Sequence, residues 1–390
     1  MKDVFNLAPM PVLHFGQGKI SVLPAAIKTY GSRFLLVSGA RSLVASTHFE
    51  KLLKEFDAAK LTFEHFIVRS EPTPWIVDEG VQSVLRFSPD VVVAIGGGSV
   101  LDAAKAISAM IPLNEPVKNY LEGVGTKPMH PGLKVPFIAV PTTAGTGSEA
   151  ARNAVLSETG PNGYKRSLRH NNFVSNIAIV DPILSLSCPP FTTAASGMDA
   201  FTQLLESYLS VAGNSITDAL AGEGLRHVAP SLLTAFKDPE NLVARTGMAL
   251  GAYLSGVTLT NAGLGLVHGF ASSIGGFYPI AHGVICSSLI AAANKLTVRK
   301  LRTIDDGKSL NKYANVGKIL ATQEGHGRDY YIDLLLSTLE AWAAEMNIPK
   351  LSQGGVSSKD FERIVNATEN KNNPVALTSE EMLEVLEMAT

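Results

Sequence analysis

Short runs of Val, Ile, Leu and Phe alternate with helix-spaced apolar positions through the first half of the chain. The run RFLLVS at 33–38 reads as a strand closed by Gly39, and 61–66 as a second. The run DVVVAI at 90–95 lies between Pro89 and Gly96. A continuous apolar run of that length suits a parallel strand covered on both faces. Positions 135–140 and 177–180 carry two more such runs. Helical spacing occupies 75–87 and 100–110. Strands separated by helix-length segments predict βαβ units and a doubly wound parallel sheet of the α/β class.

From about residue 190 the period changes to that of helices, over 194–210, 215–235, 242–255, 330–347 and 377–389. The last of these opens on a capping box, Thr378 with Glu381 three residues on. The expected organisation is an α/β domain over 1–185 followed by an all-helical domain over 186–390. The boundary falls in the Pro-dense stretch that contains Pro182, Pro189 and Pro190.

Composition narrows the function classes. The 390 residues suffice for two cores, and 46% hydrophobic against 17% charged residues excludes general disorder. Thirty-three basic and 35 acidic residues leave a net charge of −2, with no footprint for nucleic acid. Cys188 and Cys286 are too few for a disulfide framework or a Cys-rich zinc site. The start shows no basic region followed by an apolar run, so a cytoplasmic protein is expected. Residues 246–294 contain no Asp, Glu, Lys or Arg. They do contain Thr, Ser, Asn, two His and Pro279, which fits buried helices of a soluble core and not a membrane span.

Three places carry candidate chemistry. Gly96, Gly97, Gly98 and Ser99 follow the strand ending at Ile95 and precede an Ala-rich helix. Such a turn offers backbone N–H groups and a helix N-terminus to a phosphate, or is simply a tight βα turn. Its spacing is not GxGxxG. The second is the loop PTTAGTGSE at 141–149, with Thr142, Thr143, Thr146 and Ser148, again after a strand. Ligands of open α/β sheets bind at strand C-terminal ends. The third lies in the helical half. Asp199 and Gln203 share a helix face, and His268 and His282 stand in the charge-free segment. Buried polar groups need partners, and one cation would satisfy an Asp and two His together. The alternative is that each is a satisfied core residue.

These residues resemble the iron-containing (type III) alcohol dehydrogenase family almost from end to end. FGQG at 15–18 resembles its opening strand and turn. GGGS at 96–99 with Asp102, Ala104 and Lys105 resembles its dinucleotide loop. PTTAGTGSE at 141–149 resembles its most specific motif, and Asp181-Pro182 the pair that closes its first domain. GMDA at 197–200 resembles its metal motif, His268 and His282 its later metal ligands, and Asn373-Pro374 its late pair. The resemblance implies a dehydroquinate synthase-like fold and an NAD(P)-dependent alcohol dehydrogenase or aldehyde reductase acting on small-molecule alcohols or aldehydes. It implies one divalent metal, Fe2+ or Zn2+, held by Asp199, Gln203, His268 and His282, and an assembly of two or more copies. In that family hydride passes between nicotinamide C4 and a carbon whose oxygen the metal polarises. Asn153 and Lys165 stand where the resemblance places further cofactor contacts, Lys165 being otherwise a solvated hairpin charge.

The sequence departs from the family pattern twice. Gln203 replaces the usual His four residues after the Asp, and Gln is the weaker ligand. Ser272 replaces a His proposed as a proton relay, and a serine is no base at neutral pH. At the end of the first strand, NAD-preferring members carry an acidic residue on the adenosine ribose. Here Gly39 leaves room and Arg41 adds a cation, so NADP(H) is expected to be favoured over NAD(H). A polyol dehydrogenase of the same superfamily and a nucleotide-binding homologue without catalysis are the alternatives.

Overall fold

The computed structural model describes residues 4–40 and 47–390. They divide into an α/β unit, Ala8–Glu158 with Lys165–Cys188, and a helical unit. The helical unit comprises Pro189–Thr390, the segment Thr159–Tyr164 and residues 4–7.

In the α/β unit, β1 (Val12–Phe15), β2 (Arg33–Gly39), β3 (Thr62–Val68), β4 (Val91–Gly96), β5 (Phe137–Pro141) and β8 (Ile177–Val180) form one sheet. The order is β1-β8-β5-β4-β2-β3, parallel throughout. A separate two-stranded ribbon joins β6 (Asn153–Glu158) and β7 (Tyr164–Arg169). Every residue of β4, β5 and β8 is buried, as parallel strands with both faces covered require. Val91, Val93 and Ile95 pack with Phe34, Leu36, Ile138 and Val140 on one face. Val92 and Ala94 bury the other. After α1 (Leu23–Lys28) and α2 (Thr47–Ala58), α3 (Pro74–Val84) starts where Thr73 accepts from the Ile76 N–H at 3.2 Å and Pro74 pre-sets the first turn. α4 (Gly98–Met110) follows the glycines.

The helical unit begins with α5 (Pro190–Leu209), which starts four residues earlier than its apolar spacing suggests because Pro190 is suited to a first turn. α6 (Ser215–Lys237), α7 (Leu242–Ala262), α8 (Leu266–Phe277) and α9 (His282–Thr303) come next. α10 (Gly307–Leu320), α11 (Arg328–Glu345), α12 (Phe361–Asn366) and α13 (Ser379–Ala389) complete the unit. Thr378 and Glu381 form the expected capping box of α13. By length and composition α7 could cross a bilayer, but 72% of its apolar window is buried within the protein. It is the kind of core helix that the charge-free segment suggests. Phe270, Ile274, Ile285, Leu289, Ile364 and Leu386 knit α8, α9, α12 and α13 into one core.

Candidate nucleotide loops and metal centre

The two loops predicted to meet a nucleotide are neighbours because β4 and β5 are. Gly96 pairs with Pro141, and the Thr142 N–H donates to the Gly96 carbonyl at 2.9 Å. A Cβ at Gly98 would lie 2.6 Å from Thr146 Cγ2 and 2.8 Å from its Oγ1. The glycines therefore let the loops close on each other as well as approach a ligand. Gly97, Gly98, Ser99, Thr142, Thr143 and Thr146 keep half-buried surface beside the first turn of α4. That is where a helix N-terminus favours an anion.

Asp102 and Ser148 are spent differently. Ser148 Oγ donates to Asp102 Oδ1 at 2.5 Å, and the Val155 N–H donates to Asp102 Oδ2 at 3.0 Å. Lys105, 1% exposed, donates to the Ser148, Ala151 and Asn153 carbonyls at 2.7–2.9 Å and approaches Ser148 Oγ at 3.0 Å. These residues brace the second loop from beneath, and the Asn153 side chain reaches only as far as Ser167, at 3.5 Å. Burial pushes Lys105 down to about 8, against the opposing pull of Asp102 and Glu149. Lys165 is buried and pairs with Glu71 at 2.9 Å, which rules out a solvated hairpin charge. At the end of β2 a Cβ on Gly39 would make only ordinary contact with Val100, at 3.7 Å. Arg41 lies outside the described residues.

Glu149 supplies a pH test of this region. Burial raises its carboxyl to about 7, above its ordinary 4.5. Folding thus favours the protonated acid. That contribution is full below about pH 4.5 and is lost as pH rises through 7. Glu149→Gln stays neutral, so its melting temperature should exceed that of the wild type above pH 7. The gap should close near pH 4.5 in parallel thermal melts.

The second constellation lies wholly in the helical unit. Asp199, Gln203 and Glu206 occupy one face of α5. His268 comes from the first turn of α8, and His282 opens α9. The two His-Gly pairs have a packing reason. A Cβ at Gly283 would sit 2.4 Å from the Ala195 carbonyl oxygen, and one at Gly269 2.1 Å from that of Glu369. Each glycine lets its helix press against backbone, which brings the adjacent imidazole inward.

Asp199 Oδ1 lies 3.3 Å from His268 Nε2 and 3.7 Å from His282 Nε2. Although buried, it accepts no hydrogen bond of good geometry. The other nitrogen of His268, Nδ1, lies 2.6 Å from Glu206 Oε2, while Glu206 Oε1 accepts from the Val267 N–H at 2.7 Å. Glu206 thereby caps the first turn of α8 and directs His268 Nε2 towards Asp199. Such carboxylate–imidazole pairs are the usual outer support of a metal-binding histidine. The Cys286 thiol lies 3.8 Å from both Nε2 atoms, and one donor atom from each of Asp199, His268, His282 and Cys286 falls within 4.8 Å of all the others. Burial opposes ionisation of Asp199, yet the two imidazoles hold it down at about 2. Burial also opposes a charged His268, but Cys286, Glu206 and Asp199 together raise it well above its ordinary value. The cluster favours positive charge at its centre. Two imidazoles and a carboxylate are the donors that bind divalent zinc or iron, so the residues fit a metal ion.

Residues 11–182 match the family described as iron-containing alcohol dehydrogenase, and 193–390 match the C-terminal part of the Fe-containing alcohol dehydrogenase family. This chain belongs to the iron-containing alcohol dehydrogenases. Alcohol dehydrogenase 4 of Saccharomyces cerevisiae is 31% identical over 400 residues, spanning 100% of this chain and 99% of the relative. The NAD-dependent methanol dehydrogenase of Bacillus methanolicus is 29% identical over 99% of each chain. The crystal structure of a 1,3-propanediol oxidoreductase superposes with a TM-score of 0.88 at 28% identity, covering 99% of this chain and 100% of that one. The relatives are oxidoreductases of CH–OH groups, and the family implies a nicotinamide cofactor and a metal ion.

Within this iron-containing alcohol dehydrogenase, the two departures from the family pattern take specific forms. Gln203 turns its amide nitrogen to Asp199 Oδ2 at 3.2 Å and its carbonyl to Ser255 Oγ at 3.1 Å. So arranged, it orients the aspartate, and its carbonyl oxygen is engaged by Ser255. Ser272 donates back to the His268 carbonyl at 2.8 Å and lies 3.3 Å from Lys371 Nζ. Phe270 has no exposed surface and belongs to the core, whereas Phe277 and Tyr278 are partly exposed. Two members of the site were not singled out as functional in the sequence. Glu206 lies seven residues after Asp199, and Cys286 four after His282, so each repeats a helical face already in use.

Proposed function

We propose that this enzyme interconverts small primary alcohols or diols and their aldehydes, with NADP(H) as hydride carrier and one divalent cation at Asp199, His268 and His282. The observation that carries the reading is the buried Asp199 Oδ1, without a hydrogen bond, beside two imidazole nitrogens at 3.3 and 3.7 Å. When bound, a cation there polarises the alcohol or carbonyl oxygen and stabilises negative charge on it. A nicotinamide cofactor held at the β4 and β5 loops would supply hydride exchange with the carbon that bears that oxygen.

The chain's own residues prepare both partners. Glu206 fixes the tautomer and direction of His268, and Gln203 holds the second oxygen of Asp199. The half-buried glycines and threonines of the β4 and β5 loops offer backbone and hydroxyl donors to a diphosphate. The relatives named for methanol and for 1,3-propanediol support small hydroxyl substrates, and the NAD-dependent one supports a nicotinamide carrier.

The preference for the phosphorylated cofactor rests on Gly39, which leaves the end of β2 without a carboxylate. The test compares kcat/KM for NADPH and NADH, with short aldehydes and metal supplied. Wild type should favour NADPH. Gly39→Asp has room for its Cβ and should move the ratio towards NADH by about tenfold or more, the effect of 1–2 kcal/mol of charge repulsion. An unchanged ratio overturns the cofactor assignment. Absence of turnover with either cofactor and every divalent metal overturns the activity.

A further inference from the structure

We infer that Cys286 is a direct ligand of the metal, in place of the imidazole that Gln203 does not supply, giving an Asp/His/His/Cys site suited to zinc. The inference deepens the metal-dependent reading above and rests on it.

The geometry comes first. In a tetrahedral zinc site with Zn–N and Zn–O bonds of about 2.0–2.1 Å and a Zn–S bond of about 2.3 Å, nitrogen and oxygen ligands lie about 3.3 Å apart. Nitrogen and sulfur lie about 3.6 Å apart in the same site. Here the Asp199 oxygen is 3.3 and 3.7 Å from the two imidazole nitrogens, and Cys286 Sγ is 3.8 Å from each of those nitrogens. Four of the six donor separations thus lie at or slightly beyond the spacing of a tetrahedral site, and all six are within 4.8 Å.

The second observation is independent of the cysteine. Asp199 is 1% exposed, and its Oδ1 points into this cluster without a hydrogen bond. A buried carboxylate oxygen in that state needs a cation or a donor. Gln203 does not serve it, because its amide nitrogen bonds the other oxygen, Oδ2, and its carbonyl faces Ser255. The neighbours of Oδ1 are the His268 and His282 Nε2 atoms at 3.3 and 3.7 Å, which a metal ion would share with it.

Position on the helix explains why a cysteine works here. His282 and Cys286 are one turn apart on α9, so both project from the same face, and Gly283 between them allows the close approach to α5. A free buried cysteine usually acts as a small apolar residue. In this one the sulfur instead touches two imidazole nitrogens that both face a carboxylate. On binding, the thiol gives its proton to solvent and the thiolate takes the coordination position. Two anionic donors make the loaded site neutral rather than monocationic. A soft thiolate favours zinc over the harder preference of an all-oxygen and nitrogen site.

The full-length protein, stripped of metal and reloaded anaerobically with cobalt(II), tests this without any turnover. The wild type should bind one cobalt per chain and show an intense near-ultraviolet thiolate-to-cobalt absorption. Cys286→Ser should lose that absorption and bind zinc about 100-fold more weakly, at or beyond the 10–100-fold typical of losing an outer-shell partner. Stoichiometric cobalt in the wild type without the absorption overturns the inference and leaves the metal-dependent reading standing. Persistence of the absorption in Cys286→Ser also overturns it. No cobalt in the wild type overturns both readings at once. Should Cys286→Ser fail to fold, X-ray absorption of the zinc-loaded wild type decides: a sulfur neighbour at about 2.3 Å supports the ligand, and a shell of nitrogen and oxygen alone overturns it.

Discussion

Asp199→Ala should leave the protein without stoichiometric metal and lower kcat/KM at least about a thousandfold. The figure follows from the several kcal/mol that a Lewis-acid cation contributes to charge stabilisation, at 1.36 kcal/mol per tenfold in rate. Among the described residues, Asp199 supplies the only carboxylate of the group whose donor atoms converge at the cluster. Without it, two imidazoles and a thiol face one another with no carboxylate between them, since Glu206 stands behind His268 at Nδ1. The loss should be kinetic and not conformational, because α5 is anchored by apolar neighbours: Met198, Phe201, Leu204 and Leu205 have no exposed surface. Metal analysis by mass spectrometry, steady-state kinetics and circular dichroism on one preparation separate the two. A native spectrum with metal absent and activity lost is the expected result. A metal-loaded or active Asp199→Ala would remove the cluster from the mechanism.

His268 and His282 stood out in the sequence because a charge-free stretch makes isolated histidines conspicuous, and Asp199 because it sits in the GMDA motif at 197–200. The parallel sheet was readable for a related reason, since strands such as β4 are buried on both faces and leave unbroken Val and Ile runs. Loops showed their glycines but not the use of each polar atom. Asp102 and Ser148 have the residue types of cofactor contacts, yet they close a buried network whose other members are a lysine and backbone carbonyls far away in sequence. Backbone carbonyls carry no sequence signal, so such a network is invisible before folding. Glu206 was hidden because an acidic residue near a helix end reads as solvated surface. Only the approach of α8 shows that it orients His268 and caps a helix start. Cys286 was set aside because two cysteines cannot build a Cys-rich site, a count that says nothing about one cysteine joining histidines.

Lys105→Met should destabilise the α/β unit by about 3–5 kcal/mol, the usual cost of removing one partner from a buried charged pair. That corresponds to a fall of roughly 6–20 °C in the melting temperature of a unit of this size. Methionine fills a similar volume but donates nothing. The Ser148, Ala151 and Asn153 carbonyls, all accepting from Nζ at 2.7–2.9 Å, would lose their donor inside the protein. Asp102 would keep Ser148 and Val155 but lose the ammonium 3.9 Å away. Burial already drives Lys105 towards its neutral form and Asp102 towards its protonated one, so neither charge is comfortable alone. Adding Asp102→Asn should therefore restore part of the stability, since residues in one network are not additive. The same lysine sets the path of residues 148–153, which follow Thr142, Thr143 and Thr146 in the loop proposed to meet the nucleotide. A raised KM for NADPH should accompany the lower melting temperature, with metal content unchanged because the cluster belongs to the helical unit. Calorimetry on Lys105→Met and on the double variant checks the ledger. An unaltered melting temperature would mean that the buried ammonium is held by nothing the carbonyls supply.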